Sequence, residues 1–275
     1  MEPVRTQVAP PAVRREVESV TIVYDVIGTG YVATRRADPR IASVINAALG
    51  DAASVVNVGA GAGSYEPADL RVVAVEPSRE MIGQRPKGRA PVVQAVAERL
   101  PFPDGAFDAA LAVLTLHHWD DRGGGLAELA RVARRVVVVT WDPACRGSFW
   151  LTTEYLPEII EFDLPRFPPL AELAGWLGGR SETRVLPIPH DCVDGFLGAF
   201  WRRPHAYLDP AVRGAISSFA QIPAARLEAG LARLADDLRS GRWADRFGQL
   251  REEDSIDLGY RLLVADPGAS DRERR

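Results

Sequence analysis

The stretch VVNVGAGAGSYEP, residues Val55 to Pro67, joins a run of β-branched residues to three glycines spaced two apart. A short apolar run that ends in glycine is typical of a strand buried on both faces, followed by a turn that lets the backbone approach a ligand. A dinucleotide fingerprint needs the pattern G-x-G-x-x-G. Counted from Gly59, the sixth position is Ser64, so the loop has a G-x-G-x-G spacing instead. This spacing indicates a cofactor that has no pyrophosphate to cradle.

Further short apolar runs follow this strand and alternate with helical patterns. Such alternation predicts βαβ units and a mainly parallel sheet covered on both faces. We therefore predict an α/β fold, Rossmann-like and doubly wound, with a seven-stranded sheet and a helical insertion or cap before the last strand. The segments that hold the predicted strands are the opening run and RVVAVEPS (71–78), APVVQAVAERL (90–100), FDAALAVLTLHHW (107–119), RVVVVTWD (135–142), TRVLPIP (183–189) and LGYRLLVAD (258–266).

The chain divides into five predicted regions, since its composition becomes aromatic and proline-punctuated after Asp142. Loops at the carboxyl ends of parallel strands gather the ligand site. The regions are an N-terminal helical lid (1–50), a cofactor-binding core (51–142), a continuation of the core with an aromatic insertion (143–190), a helical substrate cap (191–255), and the last strand with the C-terminal tail (256–275).

Composition narrows the possible partners. The 275 residues carry a net charge of −4 and have an isoelectric point of about 5.7, which argues against nucleic acid as a partner. The N-terminus lacks the apolar stretch of a signal peptide, and no window reaches about 18 consecutive apolar residues. Two cysteines do not form a disulfide framework in a chain of this length. We expect a cytoplasmic protein with a small-molecule partner and no membrane contact; its oligomeric state is not indicated.

Glu76 stands seventeen residues after Gly59, at the tip of the next predicted strand. A carboxylate there can accept hydrogen bonds from both ribose hydroxyls of an adenosine, and such bonds are strong because the acceptor is charged. The alternative is an exposed acid at a strand end. The preceding glycine loop favours the ribose role.

The segment AERLPFPDGAFDAALAVLTLHHW, residues 97–119, completes a set of ordered motifs. With these motifs the chain resembles the class I S-adenosylmethionine-dependent methyltransferases, specifically the small-molecule, type 11-like branch. The resemblance covers roughly residues 24–142. It implies S-adenosylmethionine as cofactor and S-adenosylhomocysteine as product.

The resemblance also implies roles for individual residues around the cofactor. These are Gly59, Ala60 and Gly61 under the methionine portion, Glu76 on the ribose, Pro77, Ser78 and Met81 flanking the adenine, Ala97 and Glu98 at the adenine edge, Leu114 and Thr115 near the sulfonium, and Tyr24, Tyr31 and Arg36 in a lid that also contains Arg35.

Two positions depart from the family pattern. Asn57 stands where family members usually carry an acid before the first glycine, so the charge attraction to the cofactor's ammonium is lost. Val96 stands where an aspartate usually meets the adenine amino group. That contact must come from elsewhere, either from backbone carbonyls or from Glu98.

His117 and His118 follow the fourth predicted strand, where the methyl group would point. An imidazole titrates near neutrality and can take a proton from a hydroxyl or an amine, so either histidine is a candidate catalytic base. The alternative is a packed residue bonded to Asp120 or Asp121. Adjacent histidines on an extended segment point to opposite faces, so we predict no metal site.

The aromatic residues after the fifth strand predict a pocket for the methyl acceptor, since ligand pockets are mostly apolar with a few placed polar groups. The alternative is that these aromatics form core. A planar, apolar, natural-product-like acceptor is expected, with O-methylation favoured over C- or N-methylation. The candidate substrate-binding residues are Trp119, Trp150, Tyr155, Phe200, Trp201 and Arg203.

Two other functions remain open on the sequence. A nicotinamide-dependent oxidoreductase is disfavoured by the G-x-G-x-G spacing and by the segment at 97–102. A non-catalytic cofactor-binding protein is kept open by the two missing acids at positions 57 and 96.

Overall fold

The computed structural model describes residues 35–268, so the predicted lid residues Tyr24 and Tyr31 lie outside the described part of the chain. The described residues form a seven-stranded sheet in the order β3-β2-β1-β4-β5-β9-β6 and a small two-stranded sheet of β7 and β8. Strands β1 to β5 pair in parallel, and β9 runs antiparallel between β5 and β6. The predicted Rossmann-like sheet is confirmed.

Each large-sheet strand coincides with an apolar run seen in the sequence, except that the sixth run breaks at Pro187. Its first three residues form the end of β6, which begins earlier at the exposed Arg180, and Ile188 and Pro189 pair with Ile256 and Ser255. The strands are β1 (Ser54–Val58), β2 (Arg71–Val75), β3 (Val92–Val93), β4 (Phe107–Val113), β5 (Ala133–Trp141), β6 (Arg180–Val185), β7 (Ile188–Pro189), β8 (Ser255–Ile256) and β9 (Tyr260–Asp266).

The helices begin and end where the local sequence provides caps. The carboxylate of Asp38 accepts a hydrogen bond from the N–H of Arg40, Pro39 opens the first helix, and Gly50 ends it at a φ of 67°. The α-helices of the described residues are α1 (Pro39–Leu49), α2 (Arg79–Gly83), α3 (Arg122–Val132), α4 (Glu158–Asp163), α5 (Leu170–Leu177), α6 (Pro210–Gly214), α7 (Ala224–Ser240) and α8 (Arg242–Phe247).

The central strands are buried on both faces, as a parallel sheet covered by helices requires. In β1, Val55 belongs to one hydrophobic cluster and Val56 to the other. The cluster on the Val56 face includes residues of α3 and α5, whereas the cluster on the Val55 face includes α1 and the segment between β6 and β9. That segment, residues 186–259, is therefore a cap on one face of the sheet.

The strand order reverses between β1 and β4, which lie side by side at the centre of the sheet. In open α/β sheets, the crevice beyond the carboxyl ends of the strands at such a reversal is the usual ligand site. Here it lies between the glycine loop that follows β1 and the Leu114–Thr115 turn that follows β4. Within residues 35–268, no helix is both long and apolar enough to cross a membrane.

Candidate active site

The glycine loop after β1 is shaped by close approaches that exclude side chains. Gly59 has a φ of 67°, and a Cβ atom placed on it would lie 2.0 Å from Oγ1 of Thr115. Gly61 has a φ of 51°, and its added Cβ would lie 3.3 Å from Cε of Met81. The backbone N–H groups of Gly59 and Ala60 both donate to the carbonyl of Val75, which ties the loop to β2. The loop therefore needs glycine for both conformation and space.

Glu76 is 6% exposed and lies directly beside this loop. Its Oε2 accepts a hydrogen bond from the N–H of Gly61 at 2.8 Å, and its Oε1 accepts one from the N–H of Ser78 at 3.0 Å. Burial raises the pKa of Glu76, although the hydrogen bonds from Ser78 and Gly61 act in the opposite direction. Since each carboxylate oxygen has a further acceptor position, two ligand hydroxyls can still be bound.

A buried ion pair, which sequence reasoning missed, contacts the backbone of the same loop. Arg85 and Glu66 lie 2.5 Å apart with side chains 5% and 4% exposed. Arg85 also donates to the carbonyls of Gly61 at 3.0 Å and Ala90 at 3.2 Å. A Cβ on Gly63 would lie 2.9 Å from the Glu66 carboxylate. The pair therefore fixes the position of the loop backbone, and no local motif in the sequence announces it.

Two cavities meet at the end of β4. The smaller cavity is lined by the glycine loop and by Asn57, Tyr65, Met81 and Thr115. The larger cavity, which is partly open to solvent, lies between the sheet and the cap. Leu114 and Arg35 line both cavities. Leu114 has a φ of 50°, which is unusual for a residue other than glycine and marks a sharp turn at the junction.

Asn57 lines the smaller cavity with a polar side chain that remains available, as does Thr115. Asn57 is 5% exposed, and its amide makes no hydrogen bond with any residue of the described part of the chain. Buried polar groups without a partner are uncommon in proteins and are expected to meet a ligand. The side chain therefore fits a ligand carrying hydrogen-bonding groups such as an amine or a carboxylate.

Arg35 is held at the junction of the cavities by a buried acid. Its Nε donates to Asp194 at 2.8 Å, and the same carboxylate accepts from the hydroxyl of Tyr65 at 2.8 Å. Asp194 is 1% exposed and comes from the loop after β7. Arg36, the arginine predicted to contact a cofactor, is exposed and lines neither cavity. The structure thus places Arg35, and not its neighbour, against the site.

The predicted cofactor residues fall into two groups. Gly59, Ala60, Gly61, Met81, Leu114 and Thr115 line the smaller cavity. Ser78 caps α2 through its side chain, and Glu98 accepts a hydrogen bond from the N–H of Asp121 at 3.2 Å. Glu76, Pro77, Ser78, Ala97 and Glu98 do not line either cavity, although Glu76 is bonded to Gly61 of the first group.

His117 and His118 form a short 3₁₀ turn after β4, and both line the larger cavity. Their ring centroids are 3.8 Å apart, so the expectation that the two rings point to opposite faces is wrong. The reason is that the segment is a helical turn and not an extended strand. His117 also stacks on Phe167 at 4.7 Å, and its buried Nδ1 has no hydrogen-bond partner among the described residues.

Both imidazoles lie in surroundings that disfavour the protonated form. The pKa of His118 is lowered to about 3, first by burial and then by the charges of Arg166, Arg35 and Arg122. The pKa of His117 is also well below its ordinary value, first because of burial and then because of its neighbour His118. Both rings are therefore neutral near pH 7.

We expect the carbon-bound imidazole protons of His117 and His118 to keep constant NMR chemical shifts between about pH 5 and 8, where an ordinary histidine titrates. His117→Gln and His118→Gln variants assign the two signals by their disappearance. A titration of either signal with a midpoint near its ordinary value of 6.5 would contradict the description of these rings as neutral.

None of the six predicted acceptor residues lines the larger cavity. Trp119 packs beside Gly125 on the opposite face of the sheet, where a Cβ on that glycine would lie 2.5 Å from the indole. Nε1 of Trp150 donates to the carbonyl of Trp201, and Nε1 of Trp201 donates to that of Ile188. The other three residues also make their contacts with the cap. The hydroxyl of Tyr155 donates to Asp237, and the ring of Phe200 packs edge-on against Tyr207. Arg203 donates to the carbonyls of Cys192 and Ala199.

The cavity is instead lined by other aromatic and aliphatic side chains, with a few polar groups among them. Asp163 is the carboxylate in this wall, and burial raises its pKa to about 6. The main apolar side chains are Trp141, Phe149, Ile159, Ile160, Phe167, Phe196 and Tyr260.

Comparisons with known proteins agree with this geometry. A family model described as a methyltransferase domain matches residues 56–138. A demethylmenaquinone methyltransferase of Mycolicibacterium gilvum is 36% identical over 121 residues, which cover 42% of this chain and 50% of that protein. The chain spans about half the length of the curated relatives it matches.

Solved structures extend the likeness to most of the chain. A putative methyltransferase from an antibiotic biosynthesis pathway of Anabaena variabilis is 34% identical, with a TM-score of 0.79 over 84% of this chain and 98% of that one. Phosphoethanolamine N-methyltransferase 2 of Haemonchus contortus, in complex with S-adenosylmethionine, has the same fold at 15% identity, with a TM-score of 0.55 over 91% and 60% of the two chains.

The fold and the relatives together define a methyltransferase. The chain belongs to the class I S-adenosylmethionine-dependent methyltransferases, in the type 11 branch, and its cofactor is S-adenosylmethionine.

Proposed function

We propose that this chain transfers a methyl group from S-adenosylmethionine in the smaller cavity to a small molecule in the larger cavity. The observation that carries the proposal is that the two cavities share Leu114 and Arg35 at the carboxyl end of β4. When bound, the cofactor supplies a methyl group on a sulfonium, which a nucleophile displaces directly. The protein then acts mainly by alignment, and positioning of two reactants can supply about 7–11 kcal/mol of a barrier.

The residues in and directly beside the smaller cavity fit this cofactor. Glu76 offers two carboxylate oxygens to ribose hydroxyls, and the Asn57 amide is available for the amino acid portion. Arg35 lies in the shared wall, where its positive charge favours the cofactor carboxylate. The other residues assigned to the cofactor are Gly59, Ala60, Gly61, Met81, Leu114 and Thr115, with Pro77, Ser78, Ala97 and Glu98 toward the adenine.

The larger cavity favours an apolar, planar acceptor. Trp141, Phe149, Phe167 and Phe196 provide broad apolar walls. Rings of this kind bind flat molecules by burying their faces. This supports an aromatic or similarly apolar metabolite as the acceptor.

The two histidines support O-methylation of an acidic hydroxyl or a carboxylic acid. With a pKa of about 3, His118 is a weak base, so it is suited to bind the acceptor and poorly suited to remove a proton from it. The positive charges of Arg35, Arg122 and Arg166 that keep the imidazoles neutral also favour an anionic acceptor oxygen. An oxygen that is already ionised needs no strong base.

Glu76→Ala is expected to weaken S-adenosylmethionine binding by about 10- to 100-fold, since charged hydrogen bonds contribute about 1.5–3 kcal/mol. Calorimetric titration measures the change. The matched control is Glu80→Ala, which removes an exposed carboxylate from α2 on the same segment. Equal affinities of the two variants would remove Glu76 from the cofactor site.

Titration of the wild-type chain with S-adenosylmethionine, S-adenosylhomocysteine and NAD tests the function itself. We expect both sulfur compounds to bind and NAD not to bind. A screen with methyl-labelled cofactor against phenols, carboxylic acids, indoles and amines then identifies the acceptor class, with phenols and carboxylic acids expected to react. Binding of NAD alone would favour a nicotinamide-dependent oxidoreductase. Cofactor binding with no transfer to any class would favour a non-catalytic binding protein.

A further inference from the structure

We propose that Asp163, supported by Ser218, forms a recognition site in the larger cavity for a hydrogen-bond donor, a hydroxyl or an amine, on an otherwise apolar acceptor. The inference rests on the proposed function, because it treats the larger cavity as the acceptor site. Asp163 ends α4 and Ser218 lies in the turn Ser217–Gln221, so two separate elements of the structure bring the pair into one wall.

The Asp163 carboxylate is buried but only partly satisfied. It is 9% exposed, and its Oδ2 accepts a hydrogen bond from Oγ of Ser218 at 3.0 Å. Within residues 35–268 its Oδ1 makes no hydrogen bond and the carboxylate forms no ion pair. Buried carboxylates in proteins are normally paired or fully hydrogen-bonded, so this one has the capacity to accept another donor.

Arg166 is the cation whose charge lowers the pKa of Asp163, but within residues 35–268 it forms no ion pair with that carboxylate. Arg166 lies three residues further along the chain, where its NH1 donates to the carbonyl of Phe162 at 2.7 Å. Its guanidinium also lies 3.5 Å above the centre of the Phe162 ring. These two contacts hold the arginine on its own helix end, and the carboxylate remains available to the cavity.

The surroundings explain why a single donor would be selected. Apolar side chains such as Ile159, Ile160 and Phe196 form much of the wall around the pair. Among such residues, burying a polar group of the acceptor without a hydrogen-bond partner would reduce the free energy of binding. A donor that lies at Asp163 instead replaces the hydrogen bonds it loses to water. The site therefore discriminates between acceptors that place a hydrogen-bond donor at the Asp163 carboxylate and acceptors that do not.

The test compares two probes of the same ring system in the presence of saturating S-adenosylhomocysteine. 2-Naphthol carries a hydroxyl donor, whereas 2-methoxynaphthalene can only accept. Calorimetry at neutral pH is expected to show that the wild-type chain binds 2-naphthol about fivefold or more tightly than the ether. In Asp163→Leu we expect this preference to disappear.

Glu161→Leu is the matched control, because it removes an exposed carboxylate from the same helix and leaves the cavity wall in place; we expect the preference to be kept. Where Asp163→Leu does not fold, Asp163→Asn replaces it, and its neutral oxygen should reduce the preference at least about twofold. Equal affinities for both probes in the wild type, no binding of either, or a preference that survives Asp163→Leu would overturn the assignment. Failure of S-adenosylhomocysteine to bind in the same titration would instead overturn the proposed function.

Discussion

Gly59→Ala is expected to reduce S-adenosylmethionine affinity by about 100-fold, or about 3 kcal/mol, because the new methyl group overlaps Thr115. The added Cβ would lie 2.0 Å from Oγ1 of Thr115 and 2.8 Å from its Cβ. Thr115 must move to relieve this overlap, and it lines the smaller cavity together with the glycine loop. The substitution therefore changes both the glycine loop and the position of Thr115 in the cofactor site. Calorimetric titration with the cofactor measures the loss of affinity.

Gly105→Ala is the control for backbone strain alone. Gly105 has a φ of 62°, close to the 67° of Gly59, but nothing lies within 4 Å of its added Cβ. We expect Gly105→Ala to destabilise the fold by about 1 kcal/mol and to leave cofactor affinity unchanged. The double variant Gly59→Ala/Thr115→Gly removes the three nearest contacts and should regain part of the affinity. Equal cofactor affinity in Gly59→Ala and Gly105→Ala would show that the approach of Thr115 does not shape the site.

Asp163→Asn is expected to raise the free energy of unfolding by about 3 kcal/mol above pH 7, since each pKa unit corresponds to about 1.4 kcal/mol. Burial raises the pKa of Asp163 from 3.8 to about 6 in the folded chain. The folded chain therefore binds a proton more tightly than the unfolded chain. It follows that this group lowers the free energy of unfolding as pH rises from 3.8 to about 6, and the full cost is present above that range.

Denaturant unfolding at a series of pH values measures this difference between wild type and variant. The increase in the free energy of unfolding of Asp163→Asn should be absent below pH 3.8 and complete above about pH 6. Asp69→Asn, which neutralises an exposed aspartate, is the control for the loss of one carboxylate. A constant difference between wild type and Asp163→Asn at every pH would contradict the raised pKa. A carboxylate that costs stability at neutral pH is consistent with a role in binding.

The cofactor half of the molecule could be predicted from the sequence because its signals are local. The run SVVNV forms β1 because five consecutive residues are buried between two neighbouring strands. The glycines at 59, 61 and 63 all adopt positive φ values, as a turn between strand and ligand requires. The position of Glu76 at the end of β2 follows from the length of that strand.

The acceptor half could not be predicted, because an aromatic residue looks the same in sequence whether it lines a cavity or fills the core. Phe149 lines the larger cavity, whereas its neighbour Trp150 points into the cap and donates to the carbonyl of Trp201. In the same way, the sequence does not indicate that Arg35 lines the cavities and that its neighbour Arg36 does not. The cap residues that line the larger cavity lie in short turns, so no helical period indicates which of them point inward.

Asp163 and Asp194 lacked a sequence signal for a different reason. Each is a single acid whose partner is far along the chain, Ser218 for Asp163 and Arg35 for Asp194. Only the packing of the cap on the sheet brings these partners together. Long-range pairs of this kind do not produce a local pattern.

A crystal structure with bound S-adenosylhomocysteine tests the central claim most directly. We predict the ribose hydroxyls at Glu76, the amino acid portion beside Asn57, and the sulfur at Leu114 facing the larger cavity. Density for the ligand elsewhere, or a sulfur that points away from the larger cavity, would contradict the proposal that the two cavities meet at the site of methyl transfer.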